Sequence, residues 1–291
     1  MVPSIPKANG LFNPVTGPPL LLETHSDATA GYSLRDIGAN GGRVVRVRRD
    51  TGGGAGDDDE EDFSAAEVAD GTIETFVGAG NDGYVSVWYD QSSNSNHATQ
   101  VTNNEQPKIV DSGVVVKSHN QPTISFGTTN DNFTLSTPLG IVNNLNSVSF
   151  FLLTQPIDSF SSTQGILTLN PIFGSTAFGI NVQSGGTNFS YGGIFNNRPP
   201  ITHTPNLNEN VLYSALTEGS NFKGFANGSN ILTRSTVDIQ PSQSGLIGTF
   251  LSNVLNFGGT ISEIIVFDSG KANDRANIEE NLANYYNITL S

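Results

Sequence analysis

No cysteine occurs anywhere in the 291 residues, so disulfides and thiolate metal sites are excluded at the outset. Basic residues are scarce too: 13 Lys and Arg against 27 Asp and Glu leave a formal net charge of −14. A chain this acidic repels nucleic acid and anionic membrane, both of which demand clustered Lys and Arg. No apolar run approaches the roughly 20 residues that cross a bilayer. The opening MVPSIPKANGLFNPVTGPPLLLETHS is interrupted throughout by Pro and Asn and lacks the apolar core of an export signal. The chain is therefore expected to enter no membrane, bind no nucleic acid and carry no secretory leader.

Several chemical signatures are missing as well. His25, His97, His119 and His203 lie far apart, show no H-x-x-x-H spacing, and make a poor metal set without cysteine. No G-x-S-x-G elbow surrounds any serine. GAGNDG (78–83) lacks the lysine of a phosphate loop and reads as a turn. TGGGAGDDDEED (51–62) lacks the spaced ligands of a calcium loop and reads as a solvated connection. Its acids follow Arg43, Arg46, Arg48 and Arg49 closely, so ion pairs within the chain are expected there in preference to a phosphate patch. No metal and no cofactor is expected.

What is present is short and regular. Glycine is abundant (32), and apolar runs are punctuated by Gly, Asn, Asp and Ser. Such spacing is that of many short strands joined by tight turns. Strands are expected at Val44–Val47, Tyr84–Tyr89, Pro107–Val110, Val114–Lys117, Thr123–Phe126, Val148–Thr154, Gly165–Leu169 and Phe178–Val182. Further ones are expected at Val211–Thr217, Phe222–Ala226, Ile231–Arg234, Gly245–Ile247 and Ile261–Phe267. Asn227-Gly228 marks a type I′ hairpin, which needs positive φ at both positions. Tyr32–Ile37 and Ile73–Val77 are expected to be helical. One longer helix over Asp274–Tyr286 aligns Ile278, Leu282 and Tyr285 or Tyr286 at helical spacing, with Asp274 as N-cap or first-turn acid. The fold class is all-β: a two-sheet antiparallel jelly-roll sandwich with a few short helices and a C-terminal helix. Residues 1–30 carry five prolines and read as an extended arm, either a disordered tail or a docking segment; residues 31–291 form the sandwich.

WYDQSSNSNHATQ (88–100) places the only Trp of the chain at the head of a polar run. Together with GYSLR (31–35), RVVRVRRD (43–50) and QPKIVDSGVVV (106–116), it resembles a module of the concanavalin A-like lectin/glucanase (laminin-G-like) sandwiches. That module occurs in structural proteins of tailed bacteriophages and, more distantly, in the catalytic domain of α-L-arabinofuranosidase B. GTISEIIVFDSGKANDRANIEENLANYY (259–286) is similar to the last strand and closing helix of laminin-G-like domains. Ser93 and Ser95 stand where the module often has Gly.

The resemblance implies a sandwich, and the phage members imply a non-enzymatic virion protein. This would be a capsid decoration, head-fibre or tail-fibre component, located in the virion and homo-oligomeric. It would contact other virion proteins through the arm, with a host-surface glycan as a further ligand. The alternatives are a carbohydrate-binding module or a glycoside hydrolase acting on a surface polysaccharide. Arabinofuranosidases of the retaining kind need two carboxylates downstream of the motif. This chain has no Asp or Glu from Ser159 to Asn208, nor from Ile239 to Ser262. The E-x-D-x-x-E arrangement of the sandwich glucanases is missing too, so no catalytic residue is assigned. Asp90, Asn96 and His97 are the candidate ligand contacts, against a reading in which their side chains only cap backbone N–H groups in a tight loop. Glu263 is expected to be a paired carboxylate at the core edge, with a ligand contact as the lesser alternative.

Overall fold

The computed structural model describes residues 19–38, 42–54, 56–127, 130–135, 147–157, 164–169, 178–183, 186–190, 206–235, 245–250 and 255–291. The expected strand at Phe178–Val182 is present at Phe178–Gln183. Two antiparallel sheets face each other. The first runs in the order Ser229–Ser235, Asn221–Ala226, Val211–Glu218, Ser149–Pro156, Gly259–Phe267. The far edge of Gly259–Phe267 is shared by Ala28–Ser33 and Ile124–Phe126. The second sheet runs Glu60–Phe63, Val45–Asp50, Asp82–Trp88, Ala98–Thr99, Phe133–Leu135, Gly245–Ile247, Gln164–Leu169, Phe178–Gln183, Gly186–Ser190. Lys108–Asp111 stitches the sheets together, pairing with Asp82–Trp88 on one side and Ile124–Phe126 on the other.

Period-two alternation explains the packing. Val45, Val47, Val85, Ile109 and Ile124 face the main core with Trp88, Phe126, Phe133 and Phe150. A second, smaller core lies beneath the terminal helix Arg275–Tyr286, where Ile278, Leu282 and Tyr286 meet Phe151, Leu153, Ile265 and Phe267. Asp274 occupies the N-cap without a side-chain hydrogen bond to the helix; its carboxylate lies 3.5 Å from Lys271 Nζ instead. Asn227 and Gly228 have φ of 46° and 85°, as the hairpin requires.

One expectation is corrected. Tyr32–Ile37 opens no helix: Ala28–Ser33 is a strand in register with Glu263–Phe267, buried along its length. Small residues in ATAGYS carry little β-propensity, so its register on the central strand decides its conformation. Residues 1–18 of the expected arm lie outside the described residues, and its last three residues belong to the strand Ala28–Ser33. Leu21–Thr24 forms a helical turn, and Leu21 and Leu22 are buried in the second core. Leu22→Ala should cost about 2–3 kcal/mol, as a truncated core leucine does; a denaturant midpoint that does not move would show this turn to be peripheral.

Candidate functional site

The Trp-Tyr stretch resolves into a staple. Trp88 enters the main core against Tyr32 and Phe133, with ring centroids 5.7 and 6.1 Å away. Tyr89 faces the opposite side, covered by Arg43 and His97, and its hydroxyl donates to Asp62 at 2.7 Å. Asp90 is buried and accepts from Gly31 N (2.8 Å), Ser92 N (2.8 Å), Ser92 Oγ (2.7 Å) and Asn96 N (2.8 Å). Gln91 spans the same gap, accepting from Ile37 N and donating to the carbonyls of Ser33 and Arg35. Asn96 Nδ2 donates to the Thr29 carbonyl, and Tyr32 Oη donates to the Asn96 carbonyl. His97 Nδ1 accepts from Asp90 N at 3.2 Å. Burial is the main reason that its imidazole titrates below the usual range; Asp90 opposes this and Arg43 reinforces it.

Asp90, Asn96 and His97 are therefore brought together, with every contact named above directed at their own chain. Ser95 takes a positive φ of 56°, a conformation that costs a serine more than the glycine common at this place. Asp90→Ala would strand several backbone donors and should lower stability by about 2–3 kcal/mol. A melting temperature unchanged in that variant, with ligand binding lost, would make the loop a site.

Glu263 is wholly buried and paired. Its carboxylate accepts from Arg35 Nε (2.8 Å) and Nη2 (2.9 Å), Ser33 Oγ (2.9 Å) and Tyr286 Oη (3.1 Å). The register slips one residue between Glu263 and Ile261, so Ile261 turns to the main core while Ile265 and Phe267 enter the second one. The arginines at 43–49 are paired as well: Arg43 and Arg46 to Asp62, Arg48 to Asp58, and Arg49 to Asp59.

Among the described residues, an open cleft of about 700 Å³ lies elsewhere, at the seam of the two sheets. This is within the usual range of small-molecule sites. Its floor is a single cross-strand row: Arg48 opposite Tyr84, Tyr84 opposite Lys108, and Lys108 opposite Ser125. These residues share one face of four neighbouring strands, whose other face is the main core. The Tyr84 ring lies 5.0 Å from Arg48 Cζ and 5.6 Å from Lys108 Nζ.

The walls are polar. Asp58 stands at φ 63° and is oriented by Arg48 Nη1 (2.8 Å) and Asn103 Nδ2 (3.1 Å), both on Oδ1. Gln106 accepts from Arg48 Nε at 2.7 Å. Asp131 closes the far side, where Oδ2 accepts from Gly127 N at 2.7 Å. Burial pushes its carboxyl up to about 6, against the opposing pull of the Gly127 N–H and the Lys108 charge. Asp131 carried no motif in the sequence. A lone Asp between two Asn reads as turn chemistry, and its cleft partners come from segments far along the chain.

No family model matches the chain, and no curated protein matches it in sequence. Solved structures do match. A GH54 α-L-arabinofuranosidase soaked with a cyclic sulfate inhibitor superposes with a TM-score of 0.64, at 13% identity over 91% of this chain and 64% of its own. An arabinofuranosidase complexed with arabinofuranosyl-α-1,2-xylobiose gives the same TM-score at 14% identity, over 92% of this chain and 64% of its own. The sandwich shares its fold with these enzymes. The chain spans 64% of the length of the arabinofuranosidases that it matches, and likeness at this identity is a likeness of fold.

The expectation of a non-enzymatic virion structural protein is corrected here, because these matched structures are glycoside hydrolases rather than phage proteins. Carboxylates are absent from Ser159–Asn208 and Ile239–Ser262, but Asp50, Asp58, Asp111 and Asp131 reach one cleft from other segments.

Proposed function

We propose that the chain is a saccharide-cleaving domain whose substrate lies in the seam cleft, with Asp131 as general acid and Asp58 as the second carboxylate. The observation that carries the reading is the cleft itself, which gathers Asp58 and Asp131 with further acids, and in which burial raises the Asp131 carboxyl to about 6. Glycoside hydrolysis divides its labour in this way: a carboxyl kept protonated near neutrality donates to the leaving oxygen, while another supports or attacks the sugar carbon. Arg48 and Asn103 hold Asp58 from one side, and no described residue bonds its Oδ2. The fold shared with α-L-arabinofuranosidases supports the same reading.

The test is sugar release by the purified chain from 4-nitrophenyl α-L-arabinofuranoside, arabinan and bacterial surface polysaccharide. Turnover that saturates with substrate is expected on at least one. Binding to the cleft without release from any of them would overturn hydrolysis.

A further inference from the structure

We propose that the cleft selects saccharides without anionic groups and rejects acidic ones, an inference that rests on the cleft being a saccharide site. The positive charges in the floor are already engaged. Arg48 is bonded by Gln106 and Asp58, with Asp50 3.7 Å away. Lys108 Nζ lies 2.8 Å from Asp82 and 3.0 Å from Asp111. A ligand carboxylate or sulfate approaching either cation would therefore compete with carboxylates that already neutralise it.

The acids, by contrast, face the solvent of the cleft. The side chains of Asp58 and Asp111 are 58% and 63% exposed. A saccharide entering here meets acceptors. Its hydroxyl or ammonium groups can donate to them, whereas a uronate or sulfate brings a like charge against them, a juxtaposition that interfaces use to reject partners. The surplus of acid over base across the whole chain acts in the same direction at longer range.

The experiment is calorimetric titration of the full chain with four trimers of matched length: arabinotriose, xylotriose, a glucosamine trimer and a galacturonic acid trimer. Near pH 7 and at low ionic strength, the galacturonic acid trimer should bind at least about tenfold more weakly than the best of the others. Salt at about 0.5 M should narrow the gap, because exposed charges are then screened within a few ångströms. Asp111→Asn, a change at an exposed side chain with no backbone partner, should narrow it in the same direction. Equal or tighter binding of the acidic trimer, or a gap indifferent to both salt and Asp111→Asn, would overturn the selection and leave the saccharide site standing. Silence from all four trimers would remove the site and the selection with it.

Discussion

Replacing Glu263 with alanine is expected to lower stability by about 3–5 kcal/mol, the usual cost of removing one partner from a buried ion pair. The reason lies in what is left behind. Arg35 is mostly buried, and it loses two charge-assisted bonds; Ser33 and Tyr286 lose the carboxylate that both hydroxyls serve. Glu263 sits on the central strand of the first sheet, where the register slips, and Tyr286 comes from the closing helix. The loss therefore loosens strand, helix and the Ser33–Arg35 segment together. For a chain of this size it corresponds to a fall in melting temperature on the order of 10 °C.

Glu263→Gln keeps an acceptor and should lie between the two. A paired change, Glu263→Leu with Arg35→Met, should recover much of the loss, because it leaves no charge uncompensated. If Glu263→Ala moved the unfolding midpoint by less than about 1 kcal/mol, far below the usual cost of breaking a buried pair, the pair would not be structural. Such a result would reopen Glu263 as a ligand contact.

The fold was legible where a strand's own residues decide its state. VRVRRD and the VSVWY run are rich in β-branched and aromatic residues, and Asn227-Gly228 dictates its turn. Legibility failed at Ala28–Ser33, whose small residues are placed by their partner strand and by Asp90 rather than by their own propensity. The site was less legible still. Arg48, Tyr84, Lys108 and Ser125 become neighbours only once four strands are in register, and each alone reads as the solvent face of a sheet. Asp131 lies between Ile124–Phe126 and Phe133–Leu135, strands of different sheets, so its place beside the cleft emerges only from the fold.

Replacing Asp131 with asparagine is expected to separate activity from stability. Removing a general acid typically costs about 10²- to 10⁴-fold in rate, so a loss of that order in kcat/KM is expected on arabinan or another unactivated glycoside. A 4-nitrophenyl glycoside should lose far less, because its phenolate leaves without full protonation. In the unaltered protein the rate should decline as pH rises through about 6, where burial places the Asp131 carboxyl. Stability should move in the same direction. The folded state keeps this proton at a pH where the unfolded chain has released it. The contribution is therefore fully present below about pH 4, the ordinary carboxyl value, and is lost as pH climbs through about 6. A carboxamide cannot ionise in this range, so Asp131→Asn should remove that slope and leave the melting temperature at pH 7 unchanged or raised. An activity loss of equal size on both glycosides, or a melting temperature that fell along with activity, would mark Asp131 as a structural residue of the turn and not the proton donor.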